Sequence, residues 1–185
     1  MGSMFCRCKK LKKIKGIEKF NTNEVNNMKW MFDGCEQLEE LLLCFNTSKV
    51  IDMGSMFARC DKLKKIKGIK NFNTNEVKNM SFMFCDCKEL DELDISGFNT
   101  SKVTDMRSMF YGCIKFKKIK GIEKFNTNEV TNMKRMFDGC KALENLDLSN
   151  FNTSKVTDMN QIFNGINMTK CNLICSDIKL KNLIN

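Results

Sequence analysis

The chain of 185 residues has no histidine and no proline, and only one tryptophan and one tyrosine. Without histidine there is no Ser-His-Asp triad, no Cys-His nucleophile pair and no imidazole metal ligand. Without proline, nothing in the chain interrupts a regular stack of short elements. No apolar run approaches the roughly 18 residues that span a bilayer, and the first residues lack the h-region of a secretory signal. Neither G-x-G-x-x-G nor the phosphate loop G-x-x-x-x-G-K-[ST] occurs, which removes two nucleotide-binding fingerprints. As written, the chain is expected to be intracellular, non-enzymatic and free of metal and other cofactors.

What is present is a foldable composition, 42% apolar and 29% charged, with a formal net charge of +9 and eleven cysteines. Six of those cysteines, Cys8, Cys35, Cys60, Cys87, Cys113 and Cys140, recur in the frame Met-Phe-x-x-Cys. They are expected to stack as a ladder of small buried fillers and not to form disulfides. Cys6 with Cys8, and Cys85 with Cys87, make C-x-C pairs, but no C-x-x-C accompanies them, so a structural zinc site lacks its four recognised ligands. An odd cysteine total without a secretory signal reads as a reduced set.

Phe-Asn-Thr recurs at Phe20, Phe45, Phe72, Phe98, Phe125 and Phe151, at separations of 25, 27, 26, 27 and 26 residues. A partial unit precedes the first. Within one unit, Val103, Met106, Met109, Phe110 and Cys113 fall three or four apart, the apolar stripe of a short helix. The Asn-Thr-Ser cluster ahead of them supplies capping and turn residues. Leu-x-x-Leu-x-Leu follows, as at Leu38 to Leu43 and Leu143 to Leu148, and its alternation predicts a strand. Such a unit cannot bury its apolar face alone, so neighbours must stack. The period falls in the leucine-rich-repeat window. The expected fold is therefore an α/β repeat, a leucine-rich-repeat solenoid with one short parallel strand plus a short helix per 25–27-residue unit. It would occupy residues 1–163, followed by a C-terminal cap over 164–185 in which the Met-Phe-x-x-Cys landmark fails.

The opening letters MGSMFCRC, read alone, resemble an acylated membrane anchor. The same frame recurs internally at Met53 to Cys60, which makes it half of a repeat unit. Either the start is internal to a longer repeat array, or Met4, Phe5, Leu11 and Ile14 lie exposed at the N-terminal end and favour end-to-end self-association.

The stretch FNTSKVTDMRSMFYGC, followed later by LDLSNFNTSKVTDM, resembles the BspA-like leucine-rich-repeat family of surface proteins, which includes the repeat domain of unknown function abundant in mycoplasmas. The resemblance runs from Met1 to about Phe163. It implies a solenoid used for adhesion or protein binding, usually displayed on the cell surface.

Units alternate in charge as well as in letters. Glu24, Lys49, Glu76, Lys102, Glu129 and Lys155 occupy one column, which on rungs stacked about 4.8 Å apart sets opposite charges side by side. The strand segments at 9–19, 61–71 and 114–124 carry sixteen lysines against three acids, whereas those at 36–44, 88–97 and 141–150 are each net acidic. The extra residue in the basic segments is expected to form a bulge at Gly16, Gly68 and Gly121. Asp52, Asp105 and Asp158 recur at a fixed position and are expected to cap or close turns. The outward strand positions are the candidate contacts for a protein or glycan partner: Lys13, Lys15, Glu40, Leu42, Lys65, Lys67, Glu92, Asp94, Lys118, Lys120, Asn145 and Asp147. The alternative is polyanion binding, to RNA or a heparin-like chain, through the lysine stripes by counterion release.

Overall fold

A computed structural model describes residues 1–184. Where leucine or isoleucine alternates with charge, the chain is extended, one side chain in and the next out. Six short strands result: β1 (Glu40–Leu42), β2 (Lys65–Lys67), β3 (Glu92–Asp94), β4 (Lys118–Lys120), β5 (Asn145–Leu148) and β6 (Asn172–Cys175). They pair in parallel, two by two, β1 with β2, β3 with β4 and β5 with β6. The registers are Glu40 to Lys65, Glu92 to Lys118 and Asn145 to Asn172. Elsewhere on the unit, Asn27, Asp52, Asn79, Asp105, Asn132 and Asp158 bridge in parallel, each to the next. The units therefore stack in order, with matching positions in register.

The expected helix in each unit is not there. Val103, Met106, Met109, Phe110 and Cys113 are fully buried, but their segment is a run of turns. Two positions per unit have positive φ, among them Trp30 (57°) with Gly34, Phe82 (57°) with Asp86, and Ser108 (51°) with Gly112. These left-handed residues aim every second N–H at the neighbouring unit. Met28, Trp30, Phe32 and Gly34 donate to the carbonyls of Asp52, Gly54, Met56 and Ala58 at 2.8–3.0 Å, while Met31, Asp33 and Cys35 bond back three residues. A left-handed residue costs roughly 1–2 kcal/mol, and an intramolecular hydrogen bond returns about 0.5–1.5 kcal/mol net. With one strained position where the second is glycine, as at Gly34, or two where it is not, as at Phe82 and Asp86, against four inter-unit bonds, the stacked form holds its ground before any side chain is counted.

Gly16, Gly68 and Gly121 do not form bulges either. Each is left-handed, with φ of 79°, 88° and 97°, and leads into one turn of 3₁₀ helix: Ile17–Lys19, Ile69–Asn71 and Ile122–Lys124. The turn swings Ile17, Ile69 and Ile122 into the core. At Gly68 a Cβ would collide with the Leu43 carbonyl of the preceding unit.

Stacking turns each repeated letter into a column. Phe5, Phe32, Phe57, Phe84, Phe110, Phe137 and Phe163 lie ring on ring at 5.5–6.4 Å. Cys35, Cys60, Cys87, Cys113 and Cys140 are buried, and each thiol donates to the carbonyl of the previous unit's Phe at 3.1–3.2 Å. Cys8, the first of that series in the chain, is exposed. Buried Thr47, Thr74, Thr100 and Thr127 donate to the Asn carbonyl of the following unit. At about 1.5–3 kcal/mol per large buried side chain, the Phe, Met, Val and Leu of each unit supply its main stabilisation.

The two ends differ. Beyond Phe163, β6 continues the strand row and α1 (Ile178–Lys181) follows it. Asp177 stands where the next unit's asparagine would be, accepting from Thr153 N–H (2.9 Å), the Thr153 hydroxyl (2.7 Å) and Leu180 N–H (3.1 Å). At the first unit, Met4 is 51% exposed, and Phe5, Leu11 and Ile14 are half-buried against the core.

Candidate interaction face

On the strand row, Leu41, Ile66, Leu93, Ile119 and Leu146 point into the core. The residues before and after each point outward, so one surface collects the first-column side chains Glu40, Lys65, Glu92, Lys118 and Asn145 and the second-column side chains Leu42, Lys67, Asp94, Lys120 and Asp147. Lys13 and Lys15 are also exposed but precede Gly16 in an irregular segment, not a strand. Rungs alternate basic and acidic along the row.

Some of these charges are already engaged. Lys67 Nζ lies 3.7 Å from Glu40 Oε2, and Lys120 Nζ 3.2 Å from Asp94 Oδ2. Asp94 and Asp147 are half-buried because each closes a turn at its strand's end, accepting from the N–H of Ser96 (3.1 Å) and Ser149 (2.9 Å). The Ser96 hydroxyl on its carboxylate, more than Lys120, holds Asp94 down at about 2. Lys64, Lys65, Lys117 and Lys118, by contrast, form no ion pair among the described residues. Leu42 is apolar yet 49% exposed in the midst of charge.

The face is divided into ribbons. The acidic rungs β1 and β3 are laddered to the basic rungs β2 and β4 after them, and β5 to the uncharged β6, and the bonding continues past the strands through Leu43 N–H to Lys67 O and Ile95 N–H to Lys120 O. From a basic rung to the next acidic one, β2 to β3 and β4 to β5, no strand ladder forms. At two such steps the surface opens into shallow grooves. One of about 480 Å³ runs across Lys65, Glu92, Asp94, Lys118 and Lys120, and one of about 340 Å³ across Lys13, Lys15, Glu40, Leu42 and Lys67.

The column of alternating Glu and Lys pairs as expected within each couple: Lys49 with Glu24, Lys102 with Glu76 and Lys155 with Glu129, each at 2.7 Å. A second row was not anticipated: Lys9 with Glu36 (2.9 Å), Lys88 with Asp61 (2.8 Å) and Lys115 with Glu89 (2.7 Å). Aligning the units on the ladder cysteine, one or two residues earlier, would have exposed it. Asp33, 3% exposed and held by Arg59 Nε at 3.0 Å, stands where other units have Ala58, Cys85 and Tyr111; the frame repeats it only at Asp138, which is also buried and accepts from the Asn164 amide at 2.8 Å. Asp52, Asp105 and Asp158 do close turns, accepting the N–H of Gly54, Arg107 and Asn160.

Reactive groups converge poorly. Burial drives the Cys35 thiol up to about 12 and those of Cys60, Cys87, Cys113 and Cys140 well above the ordinary range. Among the described residues, no group of three or more Cys, Asp or Glu is placed to hold a metal ion, and no helix is long and apolar enough to cross a membrane. Compared with known families, the chain matches the one described as Mycoplasma protein of unknown function, DUF285, over residues 1–118 and again over 86–184. No curated protein and no solved structure matches it.

Proposed function

We propose, from the premise that the chain belongs to this DUF285 family of mycoplasma proteins, that it is a BspA-like leucine-rich-repeat solenoid serving as a non-enzymatic interaction or adhesion module. Its partner, a protein or a glycan, docks on the strand face. The observation that carries this reading is the gathering of charged side chains from successive rungs onto one exposed surface. The other recurrent polar groups, the cysteine thiols, threonine hydroxyls and turn aspartates, are committed to holding the stack together. Repetition also sets like groups above one another, whereas an active site needs unlike groups converging once.

Unpaired Lys64, Lys65, Lys117 and Lys118 favour a second reading, adsorption of a polyanion by counterion release. One experiment separates the two: an array of purified extracellular-matrix proteins, neutral glycans, heparin and RNA, probed with the chain and with its K65E/K67E/K118E/K120E variant. Saturable capture of a protein or neutral glycan at about 150 mM salt, weakened at least about tenfold in a variant of unchanged melting temperature, is the expected outcome. Capture of heparin or RNA alone, lost steeply with salt, would establish the second reading. Equal capture by both forms would refute the placement of the site.

A further inference from the structure

Resting on the reading of the strand face as a docking surface, we infer that its partner includes a second copy of this chain, mated face to face and antiparallel about a two-fold axis parallel to the strands, midway between β2 and β3.

Charge and symmetry together single out this arrangement. Outward side chains on consecutive rungs run basic (Lys13, Lys15), acidic (Glu40), basic (Lys65, Lys67), acidic (Glu92, Asp94), basic (Lys118, Lys120) and weakly acidic (Asp147). Two copies related by an axis along the stack would set every rung against itself, lysine on lysine. An antiparallel pair whose axis passes through a rung would also match like with like. Only an antiparallel pair whose axis falls between rungs places each basic rung on an acidic one. Like charges brought together at an interface cost several kcal/mol, so the wrong arrangements are actively rejected.

Of the axes between rungs, the one midway between β2 and β3 engages all six. Lys65 faces Glu92 of the second copy and Lys67 its Asp94. Glu40 faces Lys118, and Lys15 faces Asp147. Leu42 then lies under the aliphatic stem of Lys120 from the second copy, which covers an apolar side chain otherwise left 49% exposed among charges. The axis also coincides with the groove of about 480 Å³ at the unladdered β2–β3 step. Because the interface is isologous, each contact occurs twice, and because it is exposed and ionic, it is weak and salt-sensitive.

Sedimentation velocity on the full chain at about 100 μM, in about 30 mM and about 1 M salt, tests this where a weak interface is populated and then screened. A dimer is expected at low salt and a monomer at high salt. Lys65→Glu should weaken dimerisation at least about tenfold, since the change is felt twice, without altering the melting transition. Adding Glu92→Lys should restore the dimer. A wild-type chain that is monomeric at low salt, a dimer indifferent to Lys65→Glu, or a failure of Glu92→Lys to rescue would each overturn the inference. A monomer that still captures its array ligand through the lysines removes this inference and leaves the proposed function standing. A charge-dependent dimer that captures nothing does the reverse.

Discussion

Cysteine in the ladder acts as a hydrogen-bond donor as well as a small filler. Each thiol reaches back to a phenylalanine carbonyl of the previous unit at 3.1–3.2 Å, a bond that alanine of similar bulk could not make. Burial keeps those thiols protonated, so they should be inert while the chain is folded. A native titration with Ellman's reagent should register Cys8 and Cys44 quickly, with the five ladder thiols appearing only on unfolding; fast native reaction of Cys87 would mean the stack opens far more readily than its packing implies. A second residue of consequence is Asp177. Its burial alone would raise its pKa, but the bonds from Thr153, Leu180 and Lys179 outweigh that and leave it lowered. A carboxyl with a depressed folded pKa stabilises above its unfolded value, about 3.9, and loses that contribution as pH falls through the folded one. Hydrogen-exchange protection over 172–181, taken against the intrinsic amide rate at the same pH, should accordingly fall in acid before that of the central units, and Asp177→Asn should be less protected already at neutral pH and lose most of the acid-dependent drop. Uniform acid loosening of all units would contradict it.

At the scale of the element, the run of turns accounts for why the stripe at 103, 106, 109, 110 and 113 imitates a helix. Val103, Met109, Cys113 and Phe116 each bond back three residues, to Thr100, Met106, Phe110 and Cys113, so inward corners recur at nearly the spacing of a helical face. Which residues are buried was therefore legible from the letters, and so were the strands from Glu40 onward, the alternating Glu and Lys column and the outward-facing strand positions; the irregular course at Lys13 and Lys15 and the second row of ion pairs were not. The conformation was not, because its signal is a left-handed φ at residues such as Trp30, Phe82, Arg135 and Gln161, types that ordinarily avoid that region. Only stacking, a contact with residues about 26 away, enforces it. Substitution tests the strain directly. Gln161→Gly should relieve roughly 1–2 kcal/mol of left-handed strain, less roughly 0.4–1 kcal/mol for the freer unfolded chain, a net gain of about 0.5 kcal/mol in denaturant melts. Gly68→Ala should lose at least about 1 kcal/mol, because its Cβ meets the Leu43 carbonyl as well as an unfavourable φ. A loss for Gln161→Gly together with a gain for Gly68→Ala would show that the turns are held by something other than inter-unit bonding.

For the whole molecule, the governing fact is that nearly every bond outside a turn joins one unit to the next. The backbone hydrogen bonds that leave a turn mostly join residues about one unit apart in sequence. The alternation of basic and acidic rungs gives the molecule a two-unit period on its surface that the core, with the same Phe, Met and Cys in every unit, does not share. The grooves fall at that longer period. Their position could not be read from the letters, since it depends on which of two chemically similar steps forms the strand ladder.

The inter-unit bonds also have a direction. They run along the stacking axis, so in a chain held at both ends and stretched they lie in line with the load and are tested one rung at a time. Such a molecule behaves as a row of fasteners in series. It should lengthen in steps of about 26 residues, each freeing roughly 90 Å of extended chain at about 3.4 Å per residue, and single-molecule pulling would record a sawtooth of that spacing in place of one abrupt rupture. If the protein tethers two surfaces, that gives it a graded compliance: part of the stack can yield under strain and re-form while the remaining rungs keep their grip.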